Sequence, residues 1–206
     1  MESLLTLTIA VGGIATGIGA IWAALLARRQ AQLTEHSLAQ TERSLAEQNE
    51  RSRLNLEVDL LTRLRDRSES PHFLSRRRAA ANYLLDNSFV DGEMVEVEHL
   101  NRAVLDVCNF YEEVGELQRL GALQLKSAWN GFGAIAQAYW LLCESAIKKR
   151  REERADPTMY EEFERLNRLG AELDRTRGIE AHTQEWLRRL MTDEAIIGEE
   201  SLTETE

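Results

Sequence analysis

From Leu4 to Ala27 the chain is apolar or small at nearly every position and carries no charged side chain; Arg28 and Arg29 follow at once. As a helix rising about 1.5 Å per residue the run reaches roughly 36 Å, enough to cross a hydrocarbon core of about 30 Å with some tilt. A cleaved signal peptide would start basic and have a shorter apolar stretch, whereas this chain starts Met1-Glu2-Ser3. A soluble core helix would show a polar face, and this run offers only threonine hydroxyls, which can bond back to backbone carbonyls. The pattern predicts one amino-terminal transmembrane helix, with residues 1–29 as the anchor.

Beyond the anchor the pattern changes twice. Ser37-Leu-Ala-Gln-Thr-Glu-Arg43 is nearly repeated as Ser44-Leu-Ala-Glu-Gln-Asn-Glu-Arg51, and Ala31, Leu38 and Leu45 fall seven apart. The other half of that heptad seam (Thr34, Thr41, Gln48) is polar, whereas a strong two-stranded coil needs both halves apolar. Residues 30–53 therefore read as a helical stalk able to pair weakly with a copy of itself. From Leu54 (Leu56, Val58, Leu60, Leu61, Leu64) the chain becomes apolar enough to join a core.

Amphipathic helices then succeed one another. One follows Pro71 and ends at Asp86-Asn87; one carries Val97, Leu100, Val104, Val107, Tyr111, Val114 and Leu117 and stops near Gly121. A third runs from Leu125 through Trp129, Phe132, Ala136, Tyr139 and Cys143 to a basic end. A fourth starts at Pro157 with Tyr160, Phe163 and Leu166, and a short last one carries Ile179, Trp186 and Leu190. Ser70 and Asp156 precede the two prolines as helix caps. The expected fold is all-α: the spanning helix, the stalk, and a small antiparallel bundle over 54–192 whose two longest helices pair around Gly121. Residues 193–206, acidic and without a cation, are expected to be a disordered tail.

Charge refines this picture. The chain of 206 residues carries 35 acidic and 25 basic groups, a net charge of -10 that disfavours nucleic acid as a partner. Arg28 and Arg29, against no cation on the amino side, place residues 28–206 in the cytoplasm and the anchor in the inner (cytoplasmic) membrane. Cys108 and Cys143 fall on apolar helix faces, as reduced thiols do. Within the anchor Gly13 and Gly17 form a GxxxG step that Ala20 and Ala24 continue, a face on which two helices could approach closely; glycine is also simply common in spanning helices. The basic run Lys148-Lys149-Arg150-Arg151 suits the carbonyl end of a long helix.

The stretch Val104-Leu-Asp-Val-Cys-Asn-Phe-Tyr-Glu-Glu-Val-Gly115, followed by Leu120-Gly121, Ala128-Trp129, Tyr139-Trp140, Arg150, Tyr160-Glu-Glu-Phe163 and Leu166, is similar to an uncharacterised bacterial family. The resemblance covers roughly residues 55–170 and implies one amino-terminal spanning helix with a cytoplasmic α-helical domain of unknown function. It carries no catalytic residue over.

Candidate chemistry is sparse. Glu96-Val-Glu-His99 is an ExxH step, but a carboxylate-bridged metal site needs two such steps on helices, and the second match, Glu69 to His72, straddles a cap and a proline. Ser127 and Ser145 lack a nucleophile elbow, and Asn130-Gly-Phe-Gly133 lies within a helical pattern, where Gly131 and Gly133 read as places of close approach to Trp129 or Trp140. Glu112 and Glu113 read as solvent-facing, or as a structural ion pair with an arginine of 76–78. The expectation is therefore a non-enzymatic, membrane-anchored protein-interaction module without cofactor or metal, in a stress or phage-exclusion role. A homo-oligomer or regulated pore built through the glycine-rich span is the alternative, and an unrecognised bundle enzyme the third reading.

Overall fold

A computed structural model describes residues 2–90, 93–179 and 182–197, with the backbone alone described for 2–21, 23–27 and 31. The chain divides into two compact units, Met1–Arg53 and Leu54–Glu206. Helix α1 (Glu2–Ser68) supplies the first and opens the second. The anchor expected over Leu4–Ala27, with its small residues Gly13, Gly17, Ala20 and Ala24, lies, apart from the exposed Trp22, outside the residues whose side chains are described. Among those that are, no helix is long and apolar enough to cross a membrane.

In the first unit every described side chain from Arg28 to Arg53 is exposed, including Leu33, Leu38 and Leu45. The Thr34 and Thr41 hydroxyls donate to the carbonyls of Gln30 and Ser37, both at 2.8 Å, so these polar seam positions are turned onto their own helix.

The second unit is the helical core: the end of α1, α2 (Pro71–Ser88), α3 (Arg102–Arg119), α4 (Leu125–Arg154), α5 (Glu161–Thr176) and α6 (Gln184–Ile196). Leu64 is buried and Leu60 and Leu61 are partly buried, whereas Leu54, Leu56 and Val58 stay exposed, so α1 joins the core one turn later than the apolar pattern implies. Caps set the starts of α2 and α3. Ser70 accepts the Phe73 N–H at 3.3 Å ahead of Pro71, and Asn101 accepts the Val104 N–H at 2.9 Å, so α3 begins after Val97, not at it.

Pro157 does not start a helix. The Asp156 carboxylate accepts both the N–H (3.1 Å) and the hydroxyl (2.7 Å) of Thr158, folding 157–160 into turns, and Tyr160 takes a left-handed backbone (φ 58°) before α5 begins. Between α2 and α3 lies a hairpin too short for the sequence pattern to announce: β1 (Phe89–Val90) pairs antiparallel with β2 (Glu93–Met94), Phe89 opposite Met94.

The packing departs from the expected pairing of the two longest helices. α3 lies chiefly against α2 and α5, α4 against α5, and α2 against α6; the α3–α4 contact is minor. Gly115 is one reason: a Cβ there would stand 2.7 Å from the Glu162 carbonyl carbon, so only a glycine lets α5 close onto α3. Trp129 on α4 lies against Gly170 on α5 and against Gly133 on its own helix, while Gly131 faces open space. The centre is aromatic, with Phe110 4.9 Å from Phe73 and 5.6 Å from Phe132, and Tyr111 stacked on Phe163 at 5.4 Å.

The acidic tail is also corrected. α6 runs through Asp193 and Glu194 to Ile196, and Glu194 is buried to 4 % exposure because a cation awaits it in the core. Ile179, expected on this helix, precedes it and is exposed. Residues 198–206 lie outside the described ones.

Candidate functional site

A cleft of about 560 Å³ lies between the strand β2 end of the hairpin and the carboxyl half of α4. The hairpin is held there by the Val95 N–H, which donates to the Ser88 carbonyl at 2.8 Å, and by the Ser145 hydroxyl of α4, which donates to Glu96 at 2.8 Å. Tyr83 adds a third tie, donating to the His99 carbonyl at 2.7 Å. The cleft leaves Met94, Val95 and Leu141 exposed together. The floor alternates charge: Lys148 donates to Glu144 at 2.6 Å, which raises the lysine pKa, and Lys149 and Glu152 stand beside them. Arg151 is committed elsewhere, to the Met159 carbonyl at 2.8 Å and to Glu164 at 2.6 Å. Apolar rim and mixed charges fit a protein segment better than a uniformly charged polymer.

A second polar group is sealed in the core. Arg77 grips Glu194 through Nε (2.8 Å) and Nη2 (2.5 Å) and reaches the Ser68 carbonyl with Nη1 (3.3 Å), while the Tyr139 hydroxyl donates to the Arg77 carbonyl at 3.1 Å. Burial alone would lower the arginine pKa; the hydrogen bond and charge of Glu194 outweigh it and the pKa is raised. Burial likewise pushes the phenols of Tyr111 and Tyr139 up, so both stay protonated. Cys108 and Cys143 are fully buried neighbours on α3 and α4; the hydrogen bond between them, with burial, raises the Cys143 thiol well above its usual range. A thiol so placed is a poor nucleophile. The cluster is built for holding helices together: the Arg77 guanidinium and the Tyr139 hydroxyl already have partners.

The family model for Domain of unknown function (DUF4760) matches residues 10–169. The chain belongs to this family. No curated protein and no solved structure matches it. The match bears out the resemblance to an uncharacterised family, and it ends within α5, so α6 and Glu194 lie beyond the matched DUF4760 segment.

Within the DUF4760 domain the acidic pair divides its work: Glu113 is exposed, as one of the two expectations had it, and neither member meets an arginine of 76–78, the other expectation. Glu112 accepts the N–H groups of Glu162 (3.3 Å) and Phe163 (2.7 Å) at the start of α5, whose own cap position, Tyr160, supplies no side-chain bond. Burial raises its pKa, against the opposing pull of those two N–H groups. Glu113 pairs with Arg67 of α1, whose guanidinium stands 5.5 Å from the Phe110 ring centre. The arginines of 76–78 find other partners: Arg76 meets Asp106 at 3.5 Å, Arg77 meets Glu194, and Arg78 donates to the Ile197 carbonyl.

Three further contacts carried no sequence signal. Glu57, a charge near the start of the bundle, is buried and accepts the Gln124 N–H at 3.2 Å. The Trp129 indole donates to Asp174 at 2.8 Å. The pairing of Arg77 with Glu194 spans 117 positions, and no local spacing announces it. Arg28 and Arg29 are exposed. Among the described residues no three His, Cys, Asp or Glu side chains gather as a metal site.

Proposed function

We propose that this DUF4760 chain is a membrane-anchored helical module whose cytoplasmic bundle binds another protein at the cleft between β2 and α4. The observation that carries the reading is the exposed apolar set Met94, Val95 and Leu141 lining that cleft, beside the mixed charges of Glu144, Lys148, Lys149 and Glu152. The uncharged run Leu4–Ala27 followed by Arg28 and Arg29 supports anchoring with the bundle on the cytoplasmic side. Cross-linking in native membranes followed by mass spectrometry tests it. Links to one reproducible foreign protein, lost in Met94→Glu/Leu141→Glu and unchanged in Gly13→Ile/Gly17→Ile, are expected. Retention of those links in the cleft variant would refute the cleft as the working surface.

A second reading, self-assembly through the span, is favoured by the small-residue face Gly13, Gly17, Ala20 and Ala24 and by the exposed Leu33, Leu38 and Leu45 of α1. It predicts a self-linked ladder that disappears in Gly13→Ile/Gly17→Ile.

A further inference from the structure

The cleft beside the hairpin touches Met94, Val95 and Glu96 in succession and no residue of β1. Consecutive side chains of a strand point to opposite faces, so a cleft lined by three in a row runs along the strand's edge. That edge is the free one. Phe89 stands opposite Met94 and Val90 opposite Glu93, and the Val95 N–H is turned to the β1 side, where it meets the Ser88 carbonyl at 2.8 Å. Successive residues of an antiparallel strand turn their N–H and C=O groups to alternate sides, so those of Met94 point away from β1. Neither group has a hydrogen-bond partner among the described residues, and Met94 is exposed. An open edge of this kind is a template for another strand. Facing it, α4 lines the cleft from Leu141 to Glu152. That is roughly 16 Å of helix, the length of about five residues in extended form.

We propose that an extended peptide segment reading basic, apolar, apolar, basic docks in this cleft as a third strand on β2. The inference rests on the cleft being the working surface and adds the form of its occupant. Backbone pairing to Met94 supplies affinity, and the side chains around it supply the choice. A helical partner satisfies its own backbone and leaves the Met94 groups unused. Charge sets the pattern. The edge reads Glu93-Met94-Val95-Glu96, all four exposed, and neither glutamate has a salt bridge among the described residues. On α4, Lys148 is held by Glu144 at 2.6 Å, and Glu152 and Lys149 offset each other in charge. The excess charge is therefore that of the strand, and it is negative. Lysine or arginine opposite Glu93 and Glu96 makes cross-strand pairs whichever way the added strand runs, because the carboxylates stand at both ends of the stretch. The Met94 side chain shares a face with that of Glu96, which reaches Ser145 of α4, so an apolar residue paired with Met94 covers Leu141 as well.

Calorimetric titration of the full-length chain in detergent tests this, with the peptide acetyl-Thr-Lys-Val-Val-Lys-Thr-amide as probe. Saturable binding is expected. The same peptide N-methylated at both valines keeps every side chain and loses the strand-forming N–H groups, and should bind at least roughly tenfold more weakly. Glutamate in place of both lysines should weaken it as much. Met94→Pro removes the outward N–H and leaves the Val95–Ser88 bond in place, so it should bind roughly threefold to tenfold more weakly than Met94→Ala. The N-methylated probe leaves the protein untouched and keeps the test alive if the proline disturbs the hairpin. Equal affinity for parent and N-methylated peptides, equal affinity for the lysine and glutamate peptides, or no saturable binding at millimolar probe would overturn the proposal. Cross-linking in native membranes separates it from the reading it rests on. Links lost in Met94→Glu/Leu141→Glu but kept in Met94→Pro would overturn strand pairing alone, whereas links kept in both would remove the cleft as the working surface.

Discussion

Removing Glu194 should detach α6. In Glu194→Ala the Arg77 guanidinium keeps only the Ser68 carbonyl at 3.3 Å and stays buried with its charge uncompensated. Breaking one side of a buried pair typically costs about 3–5 kcal/mol. Against this, α6 fully buries Leu187 and Met191, which contribute about 1.5–3 kcal/mol each. The two magnitudes are similar, so the least costly response is for α6 to leave its place on α2 and let water reach Arg77. Hydrogen exchange should show the α6 amides losing protection while those of α3 keep theirs. If unfolding instead remains one cooperative step, the midpoint should fall by roughly 6–20 °C, at about 2–4 °C per kcal/mol for a unit the size of Leu54–Glu206. Replacing both partners with apolar residues of similar volume, as in Arg77→Met/Glu194→Leu, removes the uncompensated charge. That variant should be near neutral or up to about 4 kcal/mol more stable than the parent. A Glu194→Ala protein with unchanged α6 protection and a midpoint within about 2 °C of the parent would refute the reasoning. So would a double variant as unstable as the single one.

Glycines two positions apart should respond with opposite sign: Gly131→Ala meets open space and should stabilise by about 0.5–1 kcal/mol, whereas Gly133→Ala and Gly170→Ala drive a methyl into the Trp129 ring and should cost about 1–3 kcal/mol, read by chemical denaturation. Glu112 has its pKa raised by burial, so the folded state holds that proton more tightly than the unfolded one above the ordinary value of 4.5. Its contribution to stability therefore declines as pH rises through the window between 4.5 and the raised value; the stability difference between the parent and Glu112→Gln should favour the parent more at pH 4 than at pH 7, and a pH-independent difference would contradict this. Asn101→Ala removes the acceptor of the Val104 N–H and should cost about 0.5–2 kcal/mol in thermal unfolding, with Asn101→Ser largely restoring it.

Helical class, the Ser70–Pro71 start of α2, the turn at Gly121 and the apolar seams of α3 and α4 were all legible in the chain, because each depends on residues within a turn or two of one another. The pairing of helices was not. Periodicity marks which face of a helix is buried and is silent on what covers it; here the decision fell to single residues such as Gly115 and Gly170, which admit a backbone or an indole where any side chain would exclude it. Pro157 misled for a local reason of a different kind: Asp156 can cap a helix or close a turn, and its use of both Thr158 donors settled the competition in favour of the turn.

The polar contacts divide along the same line. Composition alone determined that the chain is acidic, that its apolar run is uncharged and flanked by Arg28 and Arg29, and that its charged residues belong mostly on exposed helix faces. Tertiary structure alone decided that Glu57, Arg77 and Glu194 are inside, that Glu112 caps a helix some 50 positions away, and that the acidic segment after Leu190 begins as a packed helix. A charge enters a core only when a partner is held ready at hydrogen-bond distance. That readiness is a property of three-dimensional placement, which no spacing along the chain encodes.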